Sequence, residues 1–176
     1  MKGIFKGIIT LVIGGTIFTF SQTDLVKNFS KETGLSQKEA QQYVENVTED
    51  DLAPYDKVGS EFISDGQDIL NSSRDIDCVN YSYEWETSSL SCEKGKSQLV
   101  KLGNDEVALG KAYTVLASES ASKEDMSSVI NLIDKINADL SLGIVSYILD
   151  SQTIDEIRKT NSFNKAMLQS ALESKQ

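Results

Sequence analysis

The 176-residue chain has no histidine, one proline (Pro54), one tryptophan (Trp85) and only two cysteines. Without an imidazole it has no His-based catalytic triad, no His metal ligand and no histidine switch. Two thiols fall short of a Cys₄ zinc site. No G-x-S-x-G elbow is present, and Gly14-Gly15 is not followed by the Lys-Ser/Thr of a phosphate loop. Basic charge is scarce, with 17 Lys and Arg against 27 Asp and Glu and a net charge of −10. Phosphate backbones need clustered cations, so nucleic acid is not an expected partner. A basic amphipathic helix of the membrane-surface type is missing too. Glu49-Asp50-Asp51 and Asp75-Ile76-Asp77 offer carboxylate oxygens but do not fall in the EF-hand register. The expectation is therefore a protein that is not an enzyme and uses no metal and no cofactor.

What the sequence does contain begins at its N-terminus. Lys2 and Lys6 precede thirteen uncharged residues, Ile8 to Phe20, and Thr19-Phe20-Ser21 follows with small residues at 19 and 21. This is the order of a secretory signal peptide: basic, then apolar, then a cleavage site. With Lys6 snorkelling, residues 3–21 are also long enough to be retained as a transmembrane anchor, and the two readings stay open. Either one places the rest of the chain outside the cytoplasm, periplasmic or extracellular. The expected organisation is 1–21 as signal peptide or membrane anchor and 22–176 as a single domain. Cys78 and Cys92 fit this destination as a structural disulfide, because exported chains meet an oxidising compartment. A clip over a loop of this size is worth about 3 kcal/mol in the chain-entropy account. Four Asn-x-Ser/Thr sequons, at Asn28, Asn46, Asn71 and Asn80, matter only in a eukaryotic secretory route.

Beyond residue 21 the apolar periodicity is mostly helical. Ser36 and Glu39 form a capping box before the Ala40, Tyr43, Val44, Val47 stripe. Thr48 to Asp51 and Pro54 interrupt it, and Tyr55, Val58, Phe62, Gly66, Ile69 and Ile76 define a second helix. Between Val79 and Glu86 the period changes to two, with Val79, Tyr81, Tyr83 and Trp85 alternating with polar residues, which reads as a strand turning at Thr87-Ser88-Ser89. Leu99, Leu102, Leu109, Tyr113 and Leu116 resume the helical period. Gly103-Asn104 either ends a helix there, or Gly103, Gly110 and Ala117 form a small-residue seam for close packing. Ser122 and Asp125 open the clearest stripe, running through Ile133 to Leu149. Thr153 and Glu156 cap a last helix, with a possible break over Arg158 to Ser162. The fold class is all-α: an antiparallel bundle of about four to five helices with a small disulfide-clipped β-hairpin or loop.

Charge is distributed unevenly. Residues 39–93 hold 14 acids and two bases, a net of −12, together with Tyr43, Tyr55, Phe62, Tyr81, Tyr83 and Trp85. The candidate binding residues are Tyr81, Tyr83 and Trp85 with Glu84 and Glu86, inside the Cys78–Cys92 clip. An acidic, aromatic surface suits a protein partner with a basic patch. The expected function is an exported, non-catalytic helical interaction or structural module of the cell envelope. One alternative is a carbohydrate- or peptidoglycan-binding protein that stacks sugars on the aromatics. The other is an enzyme with a carboxylate-only site, since Glu84 and Glu86 in a strand would share a face about 7 Å apart.

Overall fold

Capping and periodicity account for most of the architecture. A computed structural model of the chain describes residues 8–13, 15–47 and 54–174. They form a two-stranded antiparallel hairpin, β1 (Ile8–Ile13) and β2 (Thr16–Ser21), followed by seven helices. The helices are α1 (Gln22–Thr33), α2 (Gln37–Asn46), α3 (Tyr55–Arg74), α4 (Cys92–Leu116), α5 (Lys123–Asp139), α6 (Gly143–Ile148) and α7 (Ser151–Glu173). The all-α class and the clip therefore stand, whereas the expected four to five helices become seven among the described residues. One addition is α1. The box of Ser21 with Asp24 opens it, since Ser21 Oγ accepts the Asp24 N–H at 3.1 Å. The other is α6, because the long stripe opened by Ser122 breaks after Asp139.

The hairpin lies in the segment read as a leader. Its residues are rich in Ile, Val and Thr, whose branched side chains favour the pleated chain over the helix. Gly15, at φ 70°, sits in the turn between the paired Ile13 and Thr16. Alternate side chains then divide into two faces. Ile9, Ile13, Phe18 and Phe20 are buried in the core, while Ile8, Val12 and Ile17 face water. The second strand meets α1 and α7, and all four inward side chains belong to the core. Among the described residues no helix is long and apolar enough to cross a membrane.

The helices lie side by side in the order α3, α4, α5, α7, α1, α2. Their contacts run antiparallel. Asn137 meets Asn161 and Asp134 meets Lys165 between α5 and α7, and Asn28 meets Ser170 between α1 and α7. Lys165 is buried and holds Glu32 of α1 and Asp134 of α5, each at 2.6 Å. Burial pushes the Lys165 ammonium down, but the bonds from Asp134 and Glu32 outweigh it and raise it above the usual lysine range. The apolar interior includes Leu25, Phe29, Val44, Leu109, Met126, Ile133 and Leu168.

The α3–α4 pair decides the question left by Gly103. α4 runs unbroken through it, and the seam reading holds for Gly103 and Gly110, although Ala117 lies just past the helix end. A Cβ at Gly59 would sit 2.6 Å from the Gly110 carbonyl oxygen, and one at Gly66 would sit 2.6 Å from that of Gly103. The two backbones touch at both crossings, which only glycine permits. α7 is likewise continuous through Arg158 to Ser162. Asn161 is buried there on its bond to Asn137, so the polar stretch marks an interhelical contact. The start of α7 also moves upstream: Asp150 is the cap, accepting the Thr153 N–H at 2.8 Å.

Candidate functional site

Cys78 and Cys92 are joined, with Cα atoms 5.6 Å apart, and tie the end of α3 to the first residue of α4. The thirteen residues between them are not a strand. The alternating pattern over Val79 to Glu86 is instead consumed by local turns. Asp77 organises the first: its Oδ1 accepts the N–H groups of Val79 (3.0 Å) and Asn80 (3.2 Å), and its Oδ2 accepts the Asn80 amide at 2.7 Å. The Asn80 side chain, then these backbone donors, hold the Asp77 carboxyl below the usual range. Glu86 organises the second by accepting the Tyr83 N–H at 2.7 Å. Thr87 and Leu90 exchange backbone bonds in the third, and the buried Leu90 side chain anchors it. A side chain that takes over a backbone donor offers the chain an alternative to the strand ladder, and three such turns defeat the period-two signal.

The five candidate residues divide accordingly. Tyr83 and Trp85 stack at 5.4 Å between ring centroids. The Tyr83 hydroxyl accepts the Asp77 N–H at 2.8 Å. Trp85 lies on α4 at Gly95, where any Cβ would overlap the indole. Both rings are half-buried and serve the loop. Tyr81 and its neighbour Val79 point outward instead, 67% and 89% exposed. Glu84 and Glu86 separate. Glu86 bonds within the loop, whereas Glu84 Oε2 accepts from the Tyr147 hydroxyl of α6 at 3.3 Å. Partial desolvation and then the Glu84 carboxylate raise the Tyr147 phenol above its usual range. Tyr147 and Ile148 of α6 are also exposed, at 50% and 57%, and Glu84 is the loop residue that Tyr147 meets. Sequence reasoning missed Tyr147 because it falls off the apolar stripe of its helix and nothing local connects it to Glu84, whereas Ile148, read as part of that stripe, is exposed because the stripe breaks after Asp139. Lys96 completes the frame by donating to the Ile76 carbonyl at 2.7 Å.

A second polar group lies mid-bundle. Lys101 of α4 holds both Asp105, at 3.0 Å, and the buried Asp139 of α5. Next to it the Glu106 Oε2 and Asp139 Oδ2 atoms are buried without a hydrogen-bond partner. Burial, then Asp65 of α3 and Asp139, push the Glu106 carboxyl up to about 7. Among the described residues no group of three or more Cys, Asp or Glu has metal-binding geometry. No known protein family, curated protein or solved structure matches this chain.

Proposed function

We propose that the protein is an exported, non-catalytic helical interaction module of the cell envelope that presents its clipped loop to a protein partner with a basic surface. One observation carries this reading: the Cys78–Cys92 clip holds a loop whose Val79 and Tyr81 stand out in water and whose Glu84 bonds the exposed Tyr147 of α6. An ordered apolar tip costs hydration, and fixing its shape in advance lowers the ordering entropy paid on binding. The −12 charge of residues 39–93 supplies long-range attraction to a cationic surface. The disulfide favours an oxidising destination, and the basic-then-apolar N-terminus favours export.

The sugar-binding alternative has less support. Tyr83 and Trp85 stack on each other, and Trp85 also leans on Gly95, so one face of Tyr83 and much of Trp85 are engaged within the protein. The carboxylate-only enzyme has less support too, because Glu86 is spent on the Tyr83 N–H and Glu84 on Tyr147. The test immobilises the full oxidised chain and measures its capture of basic envelope or secreted proteins from its source at low and high salt. Specific capture should fall steeply with salt and be lost in a Tyr81→Ala, Tyr147→Ala variant with unchanged circular dichroism. Equal capture by that variant would overturn the assignment to the loop. Recovery of full-length chain from the soluble cytoplasm would overturn export.

A further inference from the structure

The opposite end of the α3–α4 hairpin holds a feature unrelated to the clip. A groove of about 1170 Å³ opens between the start of α3, the end of α4, α2, α7 and the β1–β2 turn. It lies one α3 length, roughly 30 Å, from the clipped loop. Its apolar lining is the half-buried Val58 and Phe62 of α3 and Leu11 of β1, with the more deeply buried Leu116, Phe163 and Met167, while Asn46, Thr160 and Asn164 add polar lining. Its only charged lining residues among those described are Asp56, Glu61 and Glu119. All three are exposed. Lys57 approaches Glu61 only at 4.0 Å, with both side chains more than half exposed, so it neutralises little.

Two properties restrict the occupant. The volume exceeds the roughly 300–1,000 Å³ of ordinary small-molecule pockets, which favours a stretch of several residues. A partly apolar lining under a mouth whose charged residues, among those described, are all acidic matches a ligand with apolar side chains on one face and positive charge at its edge. We infer that this groove docks a cationic amphipathic peptide segment of a partner protein, its apolar face against Val58, Phe62 and Met167 and its Lys or Arg side chains over Asp56, Glu61 and Glu119. Such a segment keeps its charges at the water boundary while its apolar side chains leave water. Engagement here does not depend on the clipped loop, so loop variants and groove variants fail separately.

The probe is a fluorescein-labelled peptide of about 14 residues, four helical turns, with Leu at helical spacing and Lys elsewhere. Fluorescence anisotropy with the full chain, at about 0.15 M salt to screen loose charge attraction, compares it with a Leu/Glu twin and a scrambled Leu/Lys peptide. The Leu/Lys peptide should bind, and both controls should bind about tenfold more weakly or worse. Asp56→Asn with Glu61→Gln and Glu119→Gln should weaken it about tenfold. The same charge change at the exposed Glu124, Asp155 and Glu156 should change it less than about twofold. Val58→Arg, which places a cation on the wall, should also block binding, and amide shifts on titration should centre on Val58, Phe62 and Met167. The inference is overturned if the Leu/Lys peptide does not bind, if the scrambled or acidic peptide binds equally, or if both sets of neutralised acids weaken binding alike.

Discussion

Glu106 is a carboxyl group placed where its charged form is poorly served. Its Oε2 is buried without a partner, and Asp65 and Asp139 add negative charge around it. The folded value of about 7 lies above the ordinary 4.5, so the native state holds a proton that the unfolded chain gives up. The sign follows from linkage: this group's contribution to stability is fully present below about 4.5 and is lost as pH rises through about 7. Glu106→Gln keeps the shape and removes the titration. Thermal melts should show the variant more stable at pH 8 by about 1 kcal/mol, and little changed at pH 4.5. A wild-type melting temperature that is flat between those values would show that the carboxylate is solvated. Nothing in the sequence marks Glu106, because its environment is assembled from Asp65 and Asp139 on two other helices. Asn28 makes the same point from the opposite side. Its sequon invites a surface role, yet the side chain is buried on Ser170 and Glu173, so a glycan there is incompatible with the α1–α7 contact.

Among the elements, α3 and α4 depend most on particular residues. Adding a methyl at Gly66 improves intrinsic helix propensity by up to about 1 kcal/mol. The new carbon would lie 2.6 Å from the Gly103 carbonyl, however, and backbone cannot step aside as a side-chain tip can. Overpacking costs of about 1–3 kcal/mol should win, so Gly66→Ala lowers the urea midpoint. Gly143→Ala is the control. Its nearest atoms are those of Leu90 at 3.6 Å, and the substitution should be neutral or slightly stabilising. The clip belongs to the same pair. Cys78→Ser with Cys92→Ser should leave a helical far-ultraviolet spectrum and cost about 2–4 kcal/mol in denaturant. It should also weaken partner binding by more than the lost folded population accounts for. Unchanged affinity in the folded double variant would make the loop structural only.

For the whole molecule, the N-terminal segment carries two demands. As a leader it would depart after Ser21. In the folded chain its second strand lies on α1 and α7, Ile9, Ile13, Phe18 and Phe20 are buried in the core, and Ser21 is the N-cap of α1. A chain beginning at Gln22 loses that cap, worth about 1 kcal/mol. It also uncovers the apolar surface that the four side chains protect, each worth about 1.5–3 kcal/mol when fully buried. Such a chain should melt well below the full-length protein and bind an apolar fluorescent dye. A truncated chain with an unchanged melting temperature would show that the hairpin adds nothing to the core. Intact mass of the exported protein tells which form persists, since cleavage removes 21 residues.

The sequence by itself determined the helical class, the α2 and α5 starts and the pairing of the only two cysteines. These depend on information within one or two turns: a Ser with an acid three residues on, a repeat of apolar positions, a thiol with no other partner. The run from Ile8 to Phe20 reads as a leader or anchor, because uncharged apolar runs serve leaders, anchors and buried strands alike. Only the tertiary structure decided that the hairpin lies there and not at Val79 to Glu86. Side chains of Asp77, Glu86 and Thr87 take the backbone donors that a strand ladder would have used. It also decided the faces of the candidate site. Tyr83 and Trp85 are drawn onto the body by Gly95 and each other, leaving Tyr81 in water, and Glu84 meets a Tyr147 that lies 63 residues away in the chain. The acidic groove needed the same information, because its walls come from five elements and no stretch of sequence holds more than a fraction of it.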